Sequence, residues 1–154
     1  MAVFDCTYLA SIYRLQGIGF WESAKTLSAA FETSDDEPPT SLSAIPFYYL
    51  ASHAAELLLK SALLKRGFTE SDLRTSEYRH SLLALLQALK DKGLAISQDT
   101  VNVVNGLHSQ HETHALRYTV LVDDGKKTYM PPPSMVFAML DELMMLTALS
   151  TQGM

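Results

Sequence analysis

Residues 44–64, AIPFYYLASHAAELLLKSALL, are the most apolar stretch of the 154-residue chain and decide its fold. The stretch is apolar on most sides, which is typical of a central helix in a helical bundle. His53, Glu56 and Lys60 lie within it, and a membrane span would not readily tolerate all three. We therefore predict a buried helix over residues 43–66 and no membrane contact.

The segments on both sides of this helix also show helical periodicity. Between the last two helices, RYTVLVDDGKKTYM (residues 117–130) alternates around Asp124-Gly125, which predicts a small hairpin or an extended loop. The sequence thus predicts an all-α, up-and-down bundle of four to five helices with one extended excursion before the last helix. The predicted helices cover residues 4–32, 43–66, 80–92, 98–114 and 134–149, with a short extra helix starting at TESD, residues 69–72.

Length and composition set the class of protein. A chain of this length predicts a single domain over residues 1–154, and at 47% hydrophobic residues it can form a core without disulfides. The formal net charge of −5 argues against a protein that binds long duplex nucleic acid through an overall positive charge. The single cysteine and the lack of a signal-peptide pattern at the N-terminus predict a cytoplasmic protein.

A polar stripe runs along the central helix. Tyr49, His53, Glu56 and Lys60 follow one another at steps of four, three and four residues, so all four lie on one side of the helix. One interpretation is a polar seam inside the bundle that holds a phosphate or a ribose. The other is the solvent-exposed face of an otherwise buried helix, with a surface ion pair that contributes little to stability.

Arg79 and His80 precede the next main helix. Because a helix N-terminus exposes free N–H groups, these two side chains could complete an anion site. The alternative is that His80 caps the helix or packs locally.

The stretch HSQHETHALRY, residues 108–118, holds three of the five histidines. Structural zinc requires four ligands, and these histidines fall short without Glu56 or His53 from another helix, so we predict no metal site and no cofactor. Arg117 offers a planar fork for phosphate and Tyr118 a ring for base stacking, which favours an anion-binding or RNA-contacting edge. The alternative is simply a polar helix end that enters the hairpin.

Several of these residues are also what the chain shares with the HEPN family, a nucleotide-binding domain of higher eukaryotes and prokaryotes. The chain resembles that family through an A-x-E-x-x-x-K pattern, an H-x-L-x-x-L pattern at the start of a later helix, and an R-Y pair. The resemblance covers residues 44–118, and the matching residues here are Ala54, Glu56, Lys60, His80, Leu82, Leu85, Arg117 and Tyr118.

The resemblance implies a homodimeric helical bundle of bacterial regulatory or defence systems of the toxin–antitoxin kind. It also implies a nucleotide or RNA as ligand and a nucleotidyltransferase-type protein as partner. Many family members are ribonucleases with an R-x(4–6)-H motif in what would be the fourth helix here. That region of this sequence has no arginine before its histidines, and Arg74 and His80 match the motif only across the loop before the third helix.

We therefore predict a non-catalytic binding or accessory module. An alternative is an atypical, metal-independent ribonuclease in which His111 or His114 acts as general acid–base and Arg117 stabilises the phosphorane. A third interpretation is a purely structural dimer that assembles through apolar helix faces.

Overall fold

The computed structural model describes residues 5–29, 31, 44–112 and 130–148, and this part of the chain folds into six α-helices without any strand. The predicted all-α bundle is confirmed. The helices are α1 (Cys6–Ser28), α2 (Ala44–Leu64), α3 (Glu70–Leu73), α4 (Leu82–Asp91), α5 (Gln98–Glu112) and α6 (Pro133–Ala148).

Helix α2 is the centre of the bundle. It packs against α1, α4, α5 and α6. Because it is surrounded, 15 of its 21 residues are buried, and Phe47, Leu58, Leu59 and Leu63 are fully inaccessible to solvent. The predominantly apolar composition of residues 44–64 follows from this position, since a central helix has almost no face left for water.

Helices α1 and α2 approach closely at Gly17. A Cβ atom added there would lie 3.0 Å from Leu58 Cγ and 3.4 Å from the backbone oxygen of Ala54. Ser61 strengthens the same contact, because its hydroxyl donates a 2.7 Å hydrogen bond to the carbonyl of Ala10. Gly17 therefore serves as a packing notch, whereas Gly19 faces open space.

Glycines and capping side chains in the sequence lie at the observed ends of the helices. Gly67 and Gly93 adopt φ angles of +95° and +87° just past α2 and α4, a conformation in which glycine has no steric cost. Thr69 and Asp72 form a reciprocal capping box at α3. At α4 the cap is Ser81, whose hydroxyl accepts from the N–H of Ala84, so His80 is not the capping residue.

Helix α5 begins against a carboxylate from α6. Glu142 accepts hydrogen bonds from the backbone N–H of Ser97 at 2.8 Å, from the Ser97 hydroxyl at 2.6 Å and from the Thr100 hydroxyl. Partial burial alone would raise the pKa of Glu142, but the hydrogen bonds from Ser97 and Thr100 outweigh it and lower that pKa. An ionised carboxylate at a helix N-terminus is favourable, so Glu142 fixes the start of α5.

The predicted hairpin over residues 117–130 lies, apart from Met130, outside the described residues.

None of the helices in the described ranges is both long enough and apolar enough to cross a membrane.

Candidate functional site: a buried carboxylate between two histidines and a lysine

One buried carboxylate collects three cationic or proton-bearing side chains from three parts of the chain. Glu56 and Lys60 lie one turn apart on α2, His80 lies in the connection between α3 and α4, and His111 lies in the last turn of α5. We refer to these four residues as the Glu56 cluster. Its burial is unusual for charged groups, since Glu56 is only 3% exposed and His111 only 6%.

The distances within the cluster assign each carboxylate oxygen a partner. Oε2 of Glu56 lies 2.5 Å from Nε2 of His111. Oε1 lies 2.5 Å from Nζ of Lys60 and 3.5 Å from Nδ1 of His80. The rings of His80 and His111 face each other edge to face, with centroids 6.5 Å apart. Both histidines therefore meet around the same carboxylate.

The carboxyl group of Glu56 is held in its ionised form. Burial by itself would raise the pKa of Glu56, since it penalises the charged form. The hydrogen bond from His111 and the charge and hydrogen bond of Lys60 outweigh that penalty and bring the pKa from an ordinary 4.5 to about 2. At neutral pH the cluster thus contains a permanent negative charge that its neighbours neutralise.

This ionisation state determines where the proton of His111 lies. An ionised carboxylate can only accept hydrogen bonds, so Nε2 of His111 must carry the hydrogen that it shares with Oε2. A carboxylate that holds one ring nitrogen in this way fixes the tautomer and the orientation of an imidazole. The cluster therefore offers oriented imidazoles, which suit proton transfer, phosphate binding or metal ligation.

Lys60 connects the buried carboxylate to the surface edge before α4. Besides contacting Glu56, its ammonium group donates a 2.8 Å hydrogen bond to the backbone carbonyl of Arg79. The side chain of His80 is 36% exposed, and Arg79 is exposed. The Glu56–Lys60 pair thereby fixes the backbone that presents Arg79 and His80 at the N-terminal end of α4.

The remaining polar residues of the α2 stripe lie towards α1. His53 and Tyr49 stack with parallel rings, and the rings of His53 and Phe20 of α1 are perpendicular with centroids 4.5 Å apart. Both residues are half-buried. The interpretation of the stripe as a solvent-exposed face is wrong at Glu56, which is buried, whereas the binding of a phosphate or a ribose along the stripe stays a prediction.

The stretch at residues 108–118 is described only in part. His111 is buried, so a purely solvated helix end is wrong for this residue, and His108 one turn earlier is half-buried. His114, Arg117 and Tyr118 lie outside the described residues, and their predicted roles stay predictions. Arg74 is exposed and pairs with Glu70 at 2.5 Å, while His80 faces Glu56.

The meeting of His80, Glu56 and His111 was not predicted from the sequence. The relevant signal is the phase of α5, where Val104, Leu107 and His111 share one helical face and the first two are fully buried. A histidine on that face enters the core and requires a buried partner. The only charged residues in the most apolar helix, Glu56 and Lys60, were the available candidates.

Comparison of the chain with protein-family models, with curated proteins and with solved structures finds no match.

Proposed function

We propose that the chain is a non-catalytic phosphate-recognising module that binds a nucleotide or single-stranded RNA at the edge formed by Arg79 and His80. One observation carries the proposal. The buried Glu56–Lys60 pair holds the backbone of Arg79 and the ring of His80 at the N-terminus of α4. A fixed backbone that places an arginine and a histidine at a helix N-terminus forms an arrangement that favours phosphate.

The wider setting of the proposal comes from the sequence. The resemblance to the HEPN family at Glu56, Lys60 and His80 supports a role in a bacterial regulatory or defence system of the toxin–antitoxin kind, in the cytoplasm, beside a nucleotidyltransferase-type partner. The negative overall charge fits a short nucleic acid or a nucleotide bound at one local edge better than a long duplex held by charge.

Binding of a fluorescently labelled single-stranded RNA, followed by anisotropy over a range of salt concentrations, tests the proposal. Arg79→Ala is expected to weaken binding and to reduce the slope of log K against log[salt] by about 0.7, the value of one phosphate contact in single strands. Arg74→Ala is the matched control, because Arg74 is an exposed arginine of the same connection that pairs with Glu70. Equal effects of the two variants would contradict a site at Arg79 and His80.

The same RNA tests a second function, cleavage without a metal ion. It is favoured by the 6.5 Å separation of the His80 and His111 rings. Two neighbouring imidazoles, one neutral and one protonated, can remove the proton of a 2′-hydroxyl and protonate the leaving oxygen. If the labelled RNA is cut in the presence of EDTA and both His80→Ala and His111→Ala abolish cutting while His108→Ala does not, the ribonuclease replaces the binding module.

We also propose that the chain acts as a homodimer, as the resemblance implies, through the outer surface of α1 and α6. Tyr8 and Leu15 on α1 are 56% and 67% exposed, and Met145 on α6 is 68% exposed. Met139 of α6 is buried and belongs to the core, so it is not available to a partner. Light scattering at micromolar concentration is expected to give twice the mass of one chain, and a monomer would remove the dimer from the proposal.

A further inference from the structure

We infer that Glu56, His80 and His111 form a binding site for a divalent transition-metal ion of the zinc type. The three residues come from α2, from the connection before α4 and from α5, so the fold and not one local segment assembles them. One ligand atom from each, a carboxylate oxygen or a ring nitrogen, lies within 4.8 Å of the others. This inference does not depend on the proposed RNA binding, because it rests on the contacts of His80 with Glu56 and His111 and not on the side chain of Arg79.

The donor set selects the class of ion. Two imidazoles and one carboxylate form a three-ligand set that zinc uses in sites with an open fourth position. Calcium and magnesium prefer oxygen ligands alone, so a site with two nitrogens favours zinc and its first-row neighbours. His111 is the member of this set that comes from residues 108–114, and Glu56 and His80 supply the other two ligands from outside that stretch.

The geometry is close to what an ion requires. Zinc bonds of about 2.0–2.2 Å in a tetrahedral arrangement place ligand atoms roughly 3–3.5 Å apart. His80 Nδ1 and Glu56 Oε1 are 3.5 Å apart, whereas His111 Nε2 and Glu56 Oε2 are 2.5 Å apart because they share a hydrogen. An ion at this position replaces that hydrogen, so the neutral ring of His111 binds it as the tautomer whose hydrogen lies on Nδ1.

The ion can reach the site from solvent, and an outer residue orients the carboxylate that would bind it. The half-exposed ring of His80 opens the cluster to water, which can enter with the ion and occupy the fourth position. Lys60 engages Oε1 of Glu56 and so holds the carboxylate in place between the two histidines. The ammonium charge also repels the ion, which restricts binding to metals with strong nitrogen affinity.

Calorimetric titration of metal-stripped protein with Zn²⁺ tests the inference, and the visible absorption of Co²⁺ reports the coordination geometry. We expect one ion per chain. His80→Gln and His111→Gln are each expected to weaken Zn²⁺ binding at least about 100-fold, because loss of an outer-shell partner already costs roughly 10- to 100-fold. His108→Gln is the matched control, a histidine of the same helix as His111 that lies outside the Glu56 cluster.

Two results would overturn the site: no Zn²⁺ binding by the wild-type protein, or affinity that His80→Gln and His111→Gln leave unchanged. Circular dichroism of each variant shows whether its helices are still folded, so that a loss of Zn²⁺ binding can be distinguished from unfolding. If either variant unfolds, His80→Cys, which keeps a zinc ligand at that position, should retain Zn²⁺ binding and turn the Co²⁺ spectrum towards that of a thiolate complex. A Co²⁺ spectrum unchanged by this substitution would also contradict the site.

The proposed metal site and the proposed RNA binding can be tested independently of each other. Arg79→Ala should leave Zn²⁺ affinity unchanged, since Arg79 contributes only its backbone carbonyl to Lys60. Loss of RNA binding in Arg79→Ala with normal Zn²⁺ binding supports both proposals. Zn²⁺ binding without any RNA binding by the wild type supports the metal site alone.

Discussion

Replacement of Glu56 by alanine is expected to lower the free energy of unfolding by about 3–5 kcal/mol, the cost of leaving a buried charge without its partner. The substitution removes the carboxylate from Lys60 and His111, whose side chains are only 12% and 5% exposed. Neither can turn to water without disturbing the packing around α2. Urea denaturation followed by helical circular dichroism measures the difference.

Glu70→Ala is the matched control for this prediction. Glu70 and Arg74 have the same i, i+4 spacing and the same 2.5 Å contact as Glu56 and Lys60, but their side chains are 40% and 75% exposed. An exposed pair contributes only about 0–1 kcal/mol, so Glu70→Ala should change stability little. Similar losses for both alanine variants would mean that Glu56 is solvated and that the Glu56 cluster does not exist as described.

Acidification is expected to remove about 3 kcal/mol of stability through Glu56 alone, as the pH falls from about 4.5 to about 2. The pKa of Glu56 is about 2 in the folded chain and its ordinary value is 4.5. Between these pH values Glu56 is protonated in the unfolded chain and ionised in the folded chain, so a fall in pH favours unfolding. Above pH 4.5 the contribution is fully present, and below pH 2 it is gone.

Urea denaturation of the wild type and of Glu56→Gln at several pH values, with EDTA present, isolates this contribution. Other carboxyl groups with lowered pKa values, such as Glu142, also weaken the fold in acid, but they do so equally in both proteins. The stability difference between wild type and Glu56→Gln should therefore shrink as the pH falls from 4.5 to 2. A difference that stays constant over this range would show that Glu56 titrates normally in the folded chain.

The helices were predictable because their signals are local. The predicted ranges 43–66, 98–114 and 134–149 correspond to α2, α5 and α6 within one or two residues at each end. Glycines with positive φ after α2 and α4 and side-chain caps at α3 and α5 determine these ends, and a sequence shows such residues directly.

The Glu56 cluster was only partly predictable, because it depends on contacts across the bundle. The spacing of Glu56 and Lys60 indicates an ion pair, but the same spacing occurs on exposed helices, and only the position of α5 shows that the pair is buried. His111 lies 55 residues from Glu56, and no local pattern predicts that the two meet. The phase of α5 indicates that His111 points inward, without indicating its partner.

Helix α5 is attached to the rest of the bundle by a carboxylate at each end. Glu142 of α6 binds its first turn, and Glu56 of α2 binds its last turn at His111. These polar attachments add to the buried apolar contacts of Val103, Val104 and Leu107, and a slide of one turn along the neighbouring helices would break both attachments together. The two acids thus set the register of α5. Since both must be ionised to do so, α5 is the helix that we expect to detach first when the protein meets acid, ahead of cooperative unfolding of the remaining core.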